Sequence, residues 1–300
     1  MTYIQSTNKL SKAQIESIRA LEKTCAAFDG TSGDLWLSGD FNLHESMPCF
    51  FLLFDKEALQ GVLTIFAPAA APAEVSAKVL PQCRRQGHFK AMLCKASEQL
   101  EIYGIQDIFI VHETKSIAGR QMIDEWSITQ HHSEYLLIYD KKRTSTSAGQ
   151  IGLQLATAEE KDFAQMLKLN AAIFGGESGF EDMLKKSMTG KNILCYKALL
   201  NGAIIGVCNV NRTNNELYIF GLGIEPSHRG NGFGRALLAE LITQLTQNYQ
   251  DDIMLEVDSE NAAAYALYTT SGFLVKTQYD YYERTTHEIA ASLGIIGQTS

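Results

Sequence analysis

Proline is scarce, at five in 300 residues, and none of the six cysteines forms a C-x-x-C pair. The cysteines, at 25, 49, 83, 94, 195 and 208, are scattered and mostly lie in apolar stretches such as Ile193-Leu194-Cys195 and Gly206-Val207-Cys208. No Cys/His group has zinc spacing, which argues against a disulfide framework or a structural metal site and for buried, reduced thiols. No run of about 18 apolar residues is present, so no membrane-spanning helix is expected. The start, MTYIQSTNKLSKAQ, lacks a charged segment followed by an apolar one and does not read as a secretory signal, so the expected location is cytoplasmic. Positive charge is the scarcer sign, with 26 Lys and Arg against 34 Asp and Glu and a net charge of −8. A nucleic-acid binder usually carries a basic face, so neither nucleic acid nor membrane is an expected partner. The acidic balance suits a cationic one.

Hydrophobic residues make up 45% and charged residues 20%, an ordinary balance for a chain with a packed core. At roughly 100–200 residues per domain the length points to two domains. The aperiodic polar stretch Lys141-Lys142-Arg143-Thr144-Ser145-Thr146-Ser147-Ala148-Gly149-Gln150 falls near the middle. It divides the chain into a domain at 1–143, a linker at 144–150 and a domain at 151–300.

In the second half a short strand is expected at 151–156. Thr157 is placed to cap a helix running to about 173, with Glu159 and Glu160 in its first turn. A second helix reads at 181–188. Two apolar runs, 192–199 and 203–211, flank Leu200-Asn201-Gly202, a hairpin signal. A strand at 216–224 precedes a glycine-rich turn and a helix whose Phe233, Leu237, Leu238, Leu241, Ile242 and Leu245 share one face. A strand at 253–257, a helix at 261–270 and strands at 273–277 and 279–283 complete the order. The first half repeats this grammar more loosely: helix 12–28, strands 50–54, 61–66 and 75–80, helix 90–103, strand 108–111, a helical stretch 117–126 and strand 134–139. The fold class expected is α/β (α+β), two copies of one architecture.

The turn His228-Arg229-Gly230-Asn231-Gly232-Phe233-Gly234-Arg235 opens a helix whose first N–H groups lack intrahelical partners and sit at the positive end of the helix dipole. That is an anion site, and phosphate is its natural occupant. Glycine lets phosphate oxygens approach the backbone. The turn fits neither a P-loop, because no Lys-Ser/Thr follows, nor a dinucleotide fingerprint, because Arg235 stands where the third glycine belongs.

Arg229-Gly230-Asn231-Gly232-Phe233-Gly234 resembles the [Q/R]-x-x-G-x-[G/A] signature of the GNAT superfamily of N-acetyltransferases, and Leu222-Gly223-Ile224-Glu225-Pro226 resembles that family's lead-in. Asn261-Ala262-Ala263-Ala264-Tyr265-Ala266-Leu267-Tyr268, ending in Gly272-Phe273, is similar to the family's N-x-x-A-x-x-L-Y-x-x-x-G-F segment. The resemblance covers the second half. It implies tandem GNAT domains, each a mixed, mostly antiparallel sheet flanked by helices, and acetyl-CoA as cosubstrate. The pyrophosphate would rest on the backbone N–H groups of Arg229, Gly230, Asn231, Gly232, Gly234 and Arg235. The pantetheine arm would pair with the edge of Leu222, Gly223 and Ile224, in a slot where the strand at 253–257 splays away. The implied reaction is direct attack of a primary amine on the thioester, with Tyr268 as the acid that protonates the thiolate. Glu256 is the candidate base, in a spacing that resembles enzymes acting on protein N-terminal amines; alternatively it is a structural glutamate. Glu216 and Tyr218 on the preceding strand, and Asp258, are the other positions considered. Asn261 is either a helix cap or a contact to the pantetheine.

In the first half, Arg84-Arg85-Gln86-Gly87-His88-Phe89 keeps the arginine and first glycine, but Phe89 replaces the second small residue. Ile123 falls opposite Tyr268, and Ser116 opposite Asn261. This half reads as a degenerate copy that supports the active half or shapes the acceptor cleft. A non-catalytic acyl-CoA-binding regulatory module is the alternative function.

Overall fold

The computed structural model describes residues 2–69, 72–142, 152–175, 180–213 and 216–292. The expected linker 144–150 lies outside them. In chain order the elements are β1 (Thr2–Thr7), α1 (Lys12–Asp29), β2 (Phe50–Asp55), β3 (Ala58–Phe66), β4 (Ala73–Val79), α2 (His88–Ile102), β5 (Asp107–Glu113), α3 (Ile117–Trp126) and β6 (Gln130–Tyr139). There follow β7 (Leu153–Thr157), α4 (Phe163–Phe174), α5 (Phe180–Thr189), β8 (Ile193–Leu200), β9 (Ala203–Thr213), β10 (Glu216–Ile224), α6 (Phe233–Asn248), β11 (Asp252–Asp258), α7 (Ala262–Thr270), β12 (Phe273–Thr285) and α8 (Thr286–Ser292).

The chain forms two compact units, one of Met1–Ser133 with Thr277–Ser300 and the other of Glu134–Lys276. In the first, the strand order is β1-β2-β3-β4-β5-β12, with β4 and β5 parallel and the other pairs antiparallel. In the second it is β7-β8-β9-β10-β11-β6, with β10 and β11 parallel and the rest antiparallel. The two topologies are the same. The sixth place in each sheet is taken by a strand from the other half of the sequence: Thr277–Thr285 of β12 in the first unit, Glu134–Tyr139 of β6 in the second.

In the second unit one sheet face packs on α6, whose Leu237, Leu238, Leu241, Ile242 and Leu245 bury against Cys208, Val210, Leu217, Ile219, Leu255 and Val257. The other face is covered by α4 on β9 and β10 and by α5 on β8. The expected cap at Thr157 is corrected: Thr157 ends β7 and α4 starts at Phe163. Asp162 causes the delay. Its carboxylate accepts the Glu159 N–H at 2.8 Å and pairs with the buried Lys197 ammonium, which winds Glu160–Asp162 into a 3-10 turn before the helix begins. The hairpin signal is realised, with Asn201 and Gly202 at φ 51° and 84° between β8 and β9. Two further expectations change. Strands 273–277 and 279–283 are one strand, and β1 and α8 were not anticipated.

The helix-opening turns of the two units have one geometry. Gly87 lies at φ 78°, ψ 3° before α2, and Gly232 at φ 81°, ψ −1° before α6. Arg84 Nε donates to the Val79 carbonyl at 2.9 Å, and Arg229 Nε to the Ile224 carbonyl at 3.0 Å. Each arginine braces the turn to the strand five residues earlier. No helix among the described residues is long and apolar enough to cross a membrane.

Candidate active site

The site grows from the place where β10 and β11 part. Their parallel register runs from Glu216 opposite Asp252 to Ile219 opposite Leu255 and stops there. Beyond it, Gly223 and Ile224 pair with β9, Leu222 lies within the register shift, and none of the three pairs with β11, leaving that backbone edge of β10 open. A β-bulge helps cause the parting. The register to β9 shifts between Phe220 and Gly223, and Gly221 sits at φ 56°, a conformation glycine adopts without strain. The bulge is one inserted residue relative to the first unit, because β4 pairs with β3 in unbroken register from Glu74 to Val79. Gly223 itself is required by packing: a Cβ there would collide with Ile173 and Phe174 at the end of α4.

The turn after β10 carries the features expected of an anion cradle. α6 begins at Phe233 with Gly232 as its cap, no side-chain cap bond and no acidic residue in its first turn. Its first helical N–H groups, which include those of Gly234 and Arg235, therefore have no intrahelical acceptor. Arg235 is exposed in this first turn, where a cation opposes the helix dipole unless an anion is present. Gly234 is not demanded by the fold, since a Cβ there would meet Leu267 at an ordinary 3.7 Å. A glycine inside a helix costs about 0.5–1 kcal/mol relative to alanine, so its use here fits a group approaching the backbone from outside. Arg229 is placed differently from Arg235. Its N–H donates to the Pro226 carbonyl at 3.2 Å, and its Nη2 to the Ile173 carbonyl at 3.1 Å, so it ties the turn to α4. Asn231 turns its side chain back onto the His228 and Arg229 carbonyls.

Glu256 and Tyr268 stand on opposite faces of the sheet beside the opening. Tyr268 is buried among Cys208, Leu255, Val257 and Phe273, with its ring edge-on to Phe273 at 6.1 Å. Burial raises its hydroxyl pKa, and the neighbouring Cys208 adds to the rise. It therefore stays protonated at neutral pH. Glu256 projects from β11 on the other face, where strand alternation also puts Tyr218 and Glu216. Burial raises its carboxyl pKa, while a hydrogen bond from Tyr218 pulls in the opposite direction. Tyr218, one of the alternative positions, thus acts directly on Glu256. Asn261 caps α7, its Oδ1 accepting the Ala264 N–H at 3.1 Å, and Asp258 Oδ1 accepts the Glu260 N–H at 2.7 Å. Among the described residues no group of three His, Cys, Asp or Glu is placed to hold a metal ion.

The corresponding places in the first unit are apolar. Ile123 is buried in the core, and Val111 stands on β5 at the position 145 residues before Glu256. Sequence reading missed Val111 and the bulge; Arg84 and Arg229, like Ile123 and Tyr268, are 145 residues apart, so the motif spacing is the same in both halves and carries no sign of the inserted residue.

A sheet of this topology, parted by a bulged strand and followed by an uncapped glycine turn, defines an acyltransferase fold. The Acetyltransferase (GNAT) family model matches residues 163–273. The [ribosomal protein bS18]-alanine N-acetyltransferase of Escherichia coli K12 is 33% identical over 100 residues, covering 33% of this chain and 68% of that protein. A GCN5-related N-acetyltransferase from Sphaerobacter thermophilus has the same fold over 95% of this chain and 96% of its own, at a TM-score of 0.76 and 17% identity. A tandem GNAT protein from the clavulanic acid biosynthesis pathway covers 95% and 99%, at a TM-score of 0.68 and 14% identity. The chain belongs to the GNAT acetyltransferase family and has the tandem GNAT fold; it is an acyltransferase.

Proposed function

We propose that this chain transfers an acetyl group from acetyl-CoA to a primary amine, with the chemistry in the unit Glu134–Lys276. The observation that carries the proposal is the parting of β10 from β11 with Glu256 on one face and Tyr268 on the other. A direct transfer needs a base on the side where the amine arrives and an acid on the side where the thiolate departs.

In this reading the pyrophosphate of CoA lies on the N–H groups from Gly230 to Arg235, and Arg235 adds charge. Arg229 serves as the brace that holds the turn. The pantetheine amides pair with the open edge of Leu222–Ile224, which fixes the thioester beside the bulge. The amine enters on the Glu256 face as an ammonium ion and gives its proton to the Glu256 carboxylate. Its freed lone pair attacks the thioester carbonyl carbon. The C–S bond breaks, and Tyr268 donates its proton to the departing sulfur. The remaining surplus proton on the nitrogen passes through solvent to the tyrosinate, and Glu256 releases the first proton to water. Each such proton transfer contributes roughly 10²- to 10⁴-fold.

The named relative acts on an alanine of a ribosomal protein. We propose the same acceptor class here, an N-terminal amine of a peptide or protein, and the spacing of Glu256 to Tyr268 supports it. The first unit supports the fold without chemistry, since Ile123 and Val111 stand where acid and base would be. The test is to incubate the protein with acetyl-CoA and a panel comprising an alanine-initiated peptide, lysine, spermidine and an aminoglycoside, and to follow thiol release. Release with the peptide supports the proposal. Binding of acetyl-CoA without release from any amine favours the regulatory module instead.

A further inference from the structure

On the Glu256 face, β9 carries two buried asparagines, Asn211 opposite Tyr218 and Asn209 opposite Phe220. Asn209 is the unusual one. Its residue is 8% exposed, and its Oδ1 is buried with no hydrogen-bond partner among the described residues. A buried amide oxygen left unbonded costs free energy, and a native fold retains few of them. Leucine or valine would fill the position without that cost, as Val207 does two residues earlier on the same face.

The amide lies over the bulge. Its Nδ2 is 3.1 Å from where a Cβ on Gly221 would stand, so the missing side chain of Gly221 makes the space the amide uses. Gly221 is two residues past Ile219, the last β10 residue paired with β11. Asn209 is therefore at the parting, on the base side of the sheet. The backbone edge that faces the pantetheine arm belongs to β10 and opens toward β11, whereas Asn209 reaches the bulge from β9, on the opposite side of β10.

We infer that Asn209 is a recognition residue for the amine acceptor: its Oδ1 accepts a hydrogen bond from an N–H of the acceptor as that group approaches Glu256. The inference rests on the acetyl-transfer reading. An amide oxygen suits this task, because it attracts an ammonium or amide N–H without competing with Glu256 for the proton. The retained asparagine is a stability cost kept for binding.

The test is Asn209→Leu, assayed with the alanine peptide, or with the panel amine turned over fastest. The expected result is a rise in the KM for the amine of roughly tenfold or more, as for a lost hydrogen bond to a charged donor. The KM for acetyl-CoA is expected to be unchanged and the Tm unchanged or higher. A purely structural asparagine would instead lower Tm and leave the amine KM alone. An unchanged amine KM overturns the inference, as does a rise confined to the KM for acetyl-CoA. If Asn209→Leu does not fold, Asn209→Ala removes the amide without added bulk and is read by the same criteria. Wild-type protein that acetylates no amine overturns the underlying acetyl-transfer reading; active wild type with an indifferent Asn209→Leu overturns only the assignment of Asn209.

Discussion

Replacing Glu256 with glutamine isolates the proposed base. The side chain keeps its size, and the glutamine Oε1 still accepts the Tyr218 hydrogen bond that now reaches the carboxylate. What is lost is the ability to take a proton. Loss of a positioned base costs roughly 10²- to 10⁴-fold, or about 2.7–5.4 kcal/mol of barrier. Glu256→Gln should therefore lower kcat by that factor while leaving acetyl-CoA affinity intact, read by thiol release and by ligand-induced Tm shift. The pH profile adds a second signature. Because burial holds the Glu256 carboxyl above its ordinary value, kcat/KM of the wild type should rise with pH through that raised pKa. In the variant this limb should vanish, leaving only the limb of the amine itself. Stability should move the other way. A carboxyl with a raised folded-state pKa is harmless below its unfolded pKa and costs stability progressively as pH rises toward the folded value. The variant removes that cost, so its Tm at neutral pH should equal or exceed that of the wild type. Wild-type turnover and an unchanged pH profile in Glu256→Gln would refute the assignment.

Tyr268→Phe should cut turnover with little change in acetyl-CoA affinity, since the ring stays packed on Phe273 while the proton is lost; titration calorimetry beside steady-state rates checks both halves. Gly232→Val places a β-branched residue at φ 81° and puts a side chain over the cradle. It should abolish the acetyl-CoA-induced Tm shift, and a preserved shift would remove the cradle from the account. Asn261→Ala should cost about 1 kcal/mol of stability through loss of the α7 cap. Denaturant melts measure this, and an added rise in the KM for acetyl-CoA would show that Asn261 also touches the cosubstrate.

Local patterns made most of the second half readable. The period of α6, the Asn201-Gly202 turn and the glycine-opened helix are encoded within a few residues, and the structure has all three. Less visible was anything set by distant partners. Thr157 has the right chemistry for a cap, yet the Asp162–Lys197 pair between the 3-10 turn and β8 decides where α4 starts. Nothing in the composition of Glu134–Tyr139 or Thr277–Thr285 tells which sheet they complete, because either would add an alternating strand to either sheet. The bulge at Gly221 reads as one more residue of a regular strand until β4 is laid beside β10. Asn209 gave no signal, since its oddity is a missing partner, which only packing reveals.

The central claim, that the unit bearing Tyr268 and Glu256 moves an acetyl group from acetyl-CoA to an amine, is tested most directly by intact-mass analysis of an alanine-initiated peptide after incubation with acetyl-CoA and the wild-type protein. The account predicts a peptide carrying one added acetyl group on its N-terminal amine, formed one for one with free CoA. It also predicts that product from Glu256→Gln or Tyr268→Phe on the same timescale falls by roughly 10²-fold or more. An unmodified peptide and an unmodified amine panel, from protein that binds acetyl-CoA, would contradict it.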